Sequence, residues 1–223
     1  MNKIQLVVFD LDGTLLDTAK DFLFAVNKLR SIYKLPPCEF KEIRHRVSEG
    51  ADSLTKYALG LENKEKNKIN LHKKELLKIY MKCCLKNTTL FEGVSNVLEE
   101  INSKGIAWGI VTNKPEKFSK KIVSHFLANY KPKFLICPEH VGERKPSPKG
   151  LLRGCEIVSA NPKSSVYIGD HAIDIEAGKK AKMITVAAAY GYIPKNEYAS
   201  DWGAEFIVES PLEIKSILSN YKN

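Results

Sequence analysis

The sequence predicts an α/β fold: a doubly wound parallel sheet whose first strand is followed by a helical insertion. Three observations lead to this prediction. Short apolar runs recur along the chain at the length of buried strands. Helical patterns separate most of these runs, and this alternation is typical of parallel pairing. One long stretch, roughly residues 18–88, has helical periodicity and no convincing strand.

The predicted strands are continuous apolar runs, as expected for strands that are covered on both faces. The helix before the second of them should end at Gly105, a favourable C-cap residue. The helix after it offers Asn113 as an N-cap and Pro115 in its first turn. The runs are IQLVVF (4–9), IAWGIV (106–111), FLIC (134–137), VYIG (166–169), MITVAA (183–188) and EFIV (205–208).

The insertion has three helical segments, at 15–33, 39–60 and 73–86. We therefore expect two domains, with residues 1–17 and 89–223 forming the α/β core and residues 18–88 forming a helical insertion. An insertion after the first strand would cover the edge at which open α/β sheets bind their ligands.

Composition limits the classes of protein that need to be considered. The five cysteines among the 223 residues are odd in number and form no CxxC pair, which favours reduced thiols and a cytoplasmic location. No apolar run approaches the roughly 18 residues of a membrane span, and the N-terminus lacks the cleavage site of a signal peptide.

The formal net charge of +9 would suit nucleic acid, an acidic surface or small anionic substrates. No nucleic-acid-binding motif accompanies the charge, and the lysine-rich stretch 63–82 is typical of a solvated helix face. We expect a small phosphorylated substrate as the partner, with no nucleic acid and no membrane. The sequence leaves the oligomeric state open between a monomer and a homodimer.

Polar residues follow the predicted strands at the points where these end. The carboxyl ends of parallel strands share one edge of the sheet, so these residues should converge on one crevice. They are Asp10, Asp12, Gly13 and Thr14 after the first strand, Thr112 and Asn113 after the second, Lys145 in the loop after the third, and Asp170 and Asp174 after the fourth.

This set of side chains has a chemical meaning. A few carboxylate oxygens suit Mg²⁺, and a lysine with hydroxyl and amide donors suits the oxygens of a phosphoryl group. One carboxylate could then attack phosphorus and form an aspartyl phosphate. A second carboxylate, two residues later, could protonate the leaving oxygen and afterwards activate water.

Structural interpretations of the same residues stay open. Asp10 and Asp12 would suit a turn. Thr112 and Asn113 would suit the cap of the following helix. Asp174 would suit the N-terminus of a helix, where the helix dipole favours an acidic side chain. All four groups of polar residues follow strands that end at the same edge of the predicted sheet, and this shared position favours the chemical interpretation.

Four segments, FDLDGTLLDT, VTNKP, KPSP and YIGDHAIDIEAGKKA, resemble in this order the four motifs of the haloacid dehalogenase-like (HAD) hydrolases. The resemblance covers nearly the whole chain and implies a Rossmann-like core with a helical cap. It implies that Asp10 is the nucleophile and Asp12 the general acid and base. It also implies that Thr112, Asn113 and Lys145 bind the phosphate.

The resemblance further implies Mg²⁺ held by Asp10, the backbone carbonyl of Leu11 and Asp170, with Asp174 in support. The Asp12 carbonyl is the less favoured alternative to that of Leu11. The family often has a second acid directly after the first one of the fourth motif, where this chain has His171.

Dehalogenases of this family generally lack the second acid of the first motif, so Asp12 favours phosphoryl transfer. A phosphatase is the favoured outcome, and a phosphomutase of the β-phosphoglucomutase type stays open. A nucleic-acid-binding or non-catalytic domain remains an alternative from another class. The absence of GxGxxG and GxxxxGK[ST] disfavours dinucleotide-binding and P-loop enzymes.

The substrate should be read mainly by the cap. The segment IRHRVSEGADSL (43–54) resembles that of phosphoglycolate phosphatases, which makes Arg44 or Arg46, with Gly50 in the turn, candidates for a substrate carboxylate. The alternative is that these arginines lie on a solvated helix face and do not bind the substrate. WGIVTNKPEKF, LICPEHV, YGYIP and DWGAEFIV resemble the N-acetylmuramic acid 6-phosphate phosphatases just as closely.

Overall fold

The computed structural model describes residues 3–221 and divides them into two compact units. One unit runs up to Leu16 and resumes at Leu90, and the other is Asp17–Thr89. The expected borders, after residues 17 and 88, differ from these by one residue each. The role of the second unit as a cap stays a prediction.

The first unit contains a parallel sheet, which confirms the predicted fold class. Among the described residues its order is β5-β4-β1-β6-β7-β8, and the registered pairs all run parallel. Its strands are β1 Leu6–Phe9, β4 Ala107–Val111, β5 Leu135–Ile136, β6 Ser165–Gly169, β7 Ile184–Ala188 and β8 Phe206–Val208.

The central strands form where the sequence is apolar on both faces, because successive side chains point to opposite sides of a sheet. Leu6 and Val8 join a buried cluster that includes Tyr167 of β6. On β1's other face, the ring of Phe9 packs edge-on against Trp108, with centroids 6.1 Å apart. With β4 and β6 as its neighbours, β1 places the residue after Phe9 in the middle of the sheet.

The helices of the first unit lie between or after the strands and are α5 Val94–Ser103, α6 Glu116–Phe126, α7 Pro138–Val141, α8 Lys149–Val158, α9 Ala172–Lys180 and α10 Ile214–Asn220. Gly105, expected as the C-cap of α5, lies one residue beyond it: the C-cap is Lys104, and Gly105 follows in the left-handed region with φ 65°. The prediction of Asn113 as the cap of α6 is wrong. Pro115 occupies that position, because the Asn113 side chain is bonded to the loop that carries Lys145.

The second unit is helical, with α1 Ala19–Ile32, α2 Phe40–Arg44, α3 Ala51–Leu59 and α4 Lys66–Cys83. The helical pattern over 39–60 is interrupted because Gly50 takes φ 90°, outside the range of a helix. The structure begins α4 earlier than the pattern indicated, since its first turns are polar and carry little periodicity. Of the helices formed by residues 3–221, none combines the length and apolar character that a membrane span requires.

Two short strands, β2 Leu16–Asp17 and β3 Thr89–Leu90, pair where the chain passes between the units. These strands were not predicted, because two residues cannot show an alternation of apolar and polar side chains.

A buried carboxylate organises the second unit. Asp21 on α1 is fully buried, and its two oxygens accept four hydrogen bonds from the segment that follows α4. Oδ1 accepts from the backbone and side-chain nitrogens of Asn87, at 2.9 and 3.0 Å. Oδ2 accepts from the backbone nitrogen and hydroxyl of Thr88, at 3.1 and 2.8 Å. Asp21 thus joins the first and last segments of this unit.

We predict that Asp21→Ala lowers the free energy of unfolding by roughly 3 kcal/mol, because the buried donors around it lose a charged acceptor. Asp52→Ala removes an exposed aspartate that pairs with Lys73 and should cost under about 1 kcal/mol. Urea unfolding followed by circular dichroism measures both. Equal losses in the two variants would contradict the role assigned to Asp21.

Candidate active site

The site begins where β1 ends. Asp10 directly follows Phe9, and its backbone nitrogen donates to the carbonyl of Ile168 on β6, at 2.9 Å. The pairing of β1 with β6 therefore continues to the base of the Asp10 side chain. That side chain is buried at the carboxyl edge of the sheet, where open α/β sheets hold their ligands.

The turn after β1 needs a glycine. Gly13 has φ 86°, and a Cβ atom on it would lie 2.0 Å from Oδ2 of Asp170. The missing side chain lets the turn approach the end of β6 closely. Thr14 follows at once, and its hydroxyl donates to Oδ1 of Asp170 at 3.0 Å.

Three carboxylates meet at this edge: Asp10, Asp170 and Asp174 are buried and offer oxygens that all lie within 4.8 Å of one another. Burial raises the pKa of Asp10 to about 6 against the opposing effect of Lys145. Burial, and then the charges of Asp10 and Asp174, raise the pKa of Asp170 to about 8. The cluster is therefore costly as three anions unless positive charge accompanies it.

Lys145 brings one positive charge into the cluster. Its buried Nζ lies 2.7 Å from Oδ1 of Asp10 and 2.6 Å from Oδ1 of Asp174. Burial alone would lower the pKa of Lys145, but these two carboxylates outweigh that effect and raise it. The lysine predicted from its place in the KPSP segment therefore lies beside the predicted nucleophile.

Tyr167 is a member of the site that the sequence did not single out. Its fully buried hydroxyl donates to Oδ1 of Asp174 at 2.9 Å and accepts from Nζ of Lys145 at 3.0 Å. It comes from the middle of β6, where a tyrosine among apolar residues looks like an ordinary core side chain. A buried hydroxyl needs hydrogen-bond partners, and that requirement is the only hint the sequence offers.

The donor set fits a divalent cation. Three buried carboxylates face one buried lysine, so as anions they leave an excess of negative charge in a region of low polarity. Nζ of Lys145 lies within 2.7 Å of both Asp10 and Asp174, so this one ammonium group is shared between two of the carboxylates and cannot neutralise all three. Hard oxygen ligands of this kind suit Mg²⁺.

The structure does not support the backbone carbonyl of Leu11 as a metal ligand. That oxygen accepts hydrogen bonds from the backbone nitrogens of Leu15 and Leu16, at 3.1 and 3.0 Å. Both of its lone pairs are used by the turn after β1, which a sequence motif does not reveal. The Asp12 carbonyl, the alternative, becomes the better candidate.

The side chain of Asp12 belongs to a second ion pair. Nζ of Lys114 lies 2.9 Å from each of its carboxylate oxygens. Lys114 is buried, and it follows Thr112 by two residues at the end of β4. Lys114 was not among the predicted site residues, although it lies within the VTNKP segment.

The two residues after β4 have different surroundings. Thr112 is buried, and its hydroxyl accepts from the backbone nitrogen of Lys114 at 3.2 Å. The carboxamide of Asn113 accepts from the Lys145 backbone nitrogen at 2.8 Å and donates to the Lys145 carbonyl at 3.2 Å. Phosphate binding by Asn113 stays a prediction, and the observed contacts show it positioning the Lys145 backbone.

His171, at the position where the family often has a second acid, is the N-cap residue of α9. Its Nδ1 accepts from the backbone nitrogen of Ile173 at 3.3 Å, and its backbone nitrogen donates to Oδ2 of Asp174 at 3.1 Å. The ring lies nearly parallel to that of Trp202, with centroids 6.3 Å apart. His171 thus caps the helix that carries Asp174, and Asp174 serves both the helix end and the carboxylate cluster.

The predicted substrate residues Arg44, Arg46 and Gly50 all lie in the second unit. Arg46 donates to the backbone carbonyl and Oε2 of Glu42, at 2.6 and 3.1 Å, and its guanidinium lies 4.0 Å from the ring centroid of Tyr57. It also lines a cavity of about 650 Å³ within this unit. Arg44 ends α2, and Gly50 precedes α3.

A family model described as haloacid dehalogenase-like hydrolase matches residues 7–188, which confirms the predicted resemblance. The N-acetylmuramic acid 6-phosphate phosphatase of Pseudomonas aeruginosa is 35% identical over 216 residues, which make up 97% of this chain and 95% of that protein. The phosphoglycolate phosphatase of Xanthomonas campestris pv. campestris is 34% identical over 208 residues, or 93% of each chain.

Among solved structures, a predicted phosphoglycolate phosphatase from Haemophilus somnus is similar, with a TM-score of 0.85 and 24% identity. The alignment covers 97% of this chain and 99% of that one. At this identity the likeness shows the fold alone.

We predict that burial of Asp170 makes the stability of the metal-free protein depend on pH. A folded-state pKa of about 8, above the ordinary 3.8, favours the protonated carboxyl in the folded state. The resulting stabilisation is complete below about pH 4 and is lost as the pH rises through about 8. Relative to Asp170→Asn, the wild type should lose on the order of a few kcal/mol over this range in EDTA.

Chemical unfolding at several pH values, with EDTA and with Mg²⁺, measures this difference. Mg²⁺ should restore the stability of the wild type at high pH and do much less for Asp170→Asn. Asp201→Asn, at an exposed aspartate, is the control and should follow the wild type. Parallel pH profiles for wild type and Asp170→Asn would show that Asp170 does not carry the effect.

Proposed function

The chain belongs to the haloacid dehalogenase-like hydrolases, and we propose that it is a Mg²⁺-dependent phosphatase for a phosphate monoester of a small anionic metabolite. The observation that carries the proposal is the buried cluster of Asp10, Asp170 and Asp174 with Lys145 against the carboxylate of Asp10. It combines a nucleophile, a set of cation ligands and a phosphate-binding cation at one edge of the sheet.

Asp10, Asp170 and the Asp12 carbonyl would hold Mg²⁺, with Asp174 in support. The cation would supply positive charge against the phosphoryl oxygens and the carboxylates.

In the first half-reaction, a carboxylate oxygen of Asp10 attacks phosphorus. An Asp10–phosphorus bond forms as the bond from phosphorus to the leaving oxygen breaks. Asp12 gives a proton to that oxygen, which departs as an alcohol. Lys145 and the hydroxyl of Thr112 orient the phosphoryl group by donating to its oxygens.

In the second half-reaction, Asp12 takes a proton from water as the water oxygen attacks phosphorus. The bond between Asp10 and phosphorus breaks, Asp10 returns to its carboxylate form, and inorganic phosphate is released. Both acids of the FDLDG segment are then ready for another turnover. Lys145 stabilises the Asp10 carboxylate as it reforms, since Nζ already lies 2.7 Å from Oδ1.

The relatives narrow the class of substrate. Those named above are N-acetylmuramic acid 6-phosphate and phosphoglycolate phosphatases, at similar identity to this chain. Both of the compounds in these names carry a phosphate and a carboxylate, and the net charge of +9 suits such anions. We propose one of these two as the substrate.

A substrate carboxylate would be bound by Arg46 or Arg44, since the guanidinium fork matches a carboxylate in two hydrogen bonds. Arg46 lines a cavity next to Ser53, Lys56 and Tyr57, which adds a second cation and two hydroxyl groups to that cavity. The role of the second unit as a cap that closes over the substrate belongs to the same proposal. The expected cytoplasmic location and the lack of nucleic-acid or membrane partners stay predictions.

We predict Mg²⁺-dependent release of phosphate from N-acetylmuramic acid 6-phosphate or 2-phosphoglycolate, and loss of release in EDTA. Asp10→Asn should reduce kcat at least about a thousandfold, because it removes the nucleophile. Circular dichroism should show that this variant keeps the fold. Retention of turnover by folded Asp10→Asn would contradict the mechanism.

β-Glucose 1-phosphate in the same assay separates a phosphatase from a phosphomutase. Formation of glucose 6-phosphate, with no phosphate released from any substrate, would show a phosphomutase instead. A clear preference for one carboxylated substrate would identify its branch of the family.

We predict that Arg46→Gln or Arg44→Gln raises KM for the carboxylated substrate by about tenfold or more and leaves KM for p-nitrophenyl phosphate nearly unchanged. The reason is that a hydrogen bond to a charged group is worth about 1.5–3 kcal/mol. p-Nitrophenyl phosphate has no carboxylate, so it does not form this bond and is not affected by its removal. Arg153→Gln, at an exposed arginine paired with Glu156, is the matched control. Equal changes in KM for both substrates would remove the carboxylate-binding role.

A further inference from the structure

The residue of interest is Lys114, which lies within the VTNKP segment but is given no role by the family resemblance. Its Nζ lies 2.9 Å from both carboxylate oxygens of Asp12. The Lys114 side chain is 5% exposed and that of Asp12 is 14% exposed. Charge-assisted contacts in such a sheltered position are stronger and more restrictive than those at a surface.

The backbone of Lys114 is fixed in its turn. Its nitrogen donates to the hydroxyl of Thr112 at 3.2 Å, and the hydroxyl of Ser119 donates to its carbonyl at 3.1 Å. These bonds tie the lysine to the end of β4 and to the first turns of α6. Its ammonium group is thereby held at a defined place relative to the sheet.

The acidic side chains of the site are therefore paired with two different lysines. Lys145 contacts Asp10 and Asp174, which belong to the cluster suited to a cation. Lys114 contacts Asp12, which lies outside that cluster and has the role of proton transfer in the proposed function. A side chain that transfers a proton must be held in one orientation to be efficient.

We infer that Lys114 is a positioning residue that fixes the carboxylate of Asp12 for proton transfer, an inference that rests on the proposed function. One carboxylate oxygen can stay with Lys114 while the other gives its proton to the leaving oxygen. Without Lys114 the Asp12 side chain loses this charge-assisted contact and is held less firmly in that orientation, so reactions that need its proton slow down most.

The test compares substrates that differ in their need for a proton. β-Glycerophosphate has an alkoxide leaving group, which must be protonated, whereas p-nitrophenyl phosphate releases a weakly basic phenolate. The ratio kcat/KM covers the steps up to departure of the leaving group. Lys114→Gln should lower kcat/KM for β-glycerophosphate by about a hundredfold and that for p-nitrophenyl phosphate by less than about tenfold.

Asp12→Asn should show the same selective loss. Because Lys114 acts through Asp12, the double variant should be no slower on β-glycerophosphate than Asp12→Asn alone. Lys114→Arg, which keeps the charge and offers two parallel donors, should recover part of the activity. Lys117→Gln, at an exposed lysine three residues later, is the matched control and should behave as the wild type.

Equal losses on both substrates, or effects of Lys114→Gln and Asp12→Asn that simply add, would overturn the inference. If Lys114→Gln does not fold, Lys114→Met, which keeps the length and apolar stem of the side chain, takes its place in the same comparison. Failure of the wild type to release phosphate from these two substrates and from both carboxylated phosphomonoesters named above would overturn the proposed function and the inference together. Turnover by the wild type with no substrate selectivity in the variants would overturn the inference alone.

Discussion

The constraint on which the site depends is the burial of Asp10, Asp170 and Asp174 at one edge of a parallel sheet with Lys145 among them. Buried carboxylates cost free energy as anions unless cations or hydrogen-bond donors compensate them. The surrounding structure supplies such groups: Lys145, the hydroxyl of Tyr167 and the backbone nitrogen of Tyr192, which donates to Asp170 at 2.8 Å. The negative charge that these groups leave uncompensated explains why the carboxylate cluster suits a divalent cation.

The same constraint explains why the site is built on neighbouring strands. The pairing of β1 with β4 and β6 brings Asp10, Thr112 and Asp170 to one edge, although they lie far apart along the chain. The glycine at position 13 lets the turn after β1 reach Asp170, which a side chain there would prevent. Side chains held in place by a sheet and a tight turn need little reorganisation when charge develops nearby, which is how preorganisation lowers a barrier.

Much of this could be predicted from the sequence, because its strong signals are local. Continuous apolar runs located the strands of the sheet, and their alternation with helices indicated parallel pairing. The four motifs brought Asp10, Lys145 and Asp170 to attention.

The features that escaped prediction depend on three-dimensional contacts. Lys114 looks like any lysine after a strand, and the hydrogen bonds to the Leu11 carbonyl arise from the shape of a turn. Tyr167 has the appearance of a core residue until its hydroxyl is seen between Lys145 and Asp174.

The most direct test of the central claim, that Asp10 is a nucleophile held in a buried carboxylate cluster, is to trap the intermediate. The enzyme would be mixed with Mg²⁺ and the best substrate, quenched in acid within the first turnover, digested, and analysed by mass spectrometry. We predict one phosphoryl group on the peptide that contains Asp10, absent when EDTA replaces Mg²⁺. A phosphoryl group on another residue, or none in any quench while phosphate is still released, would contradict the account.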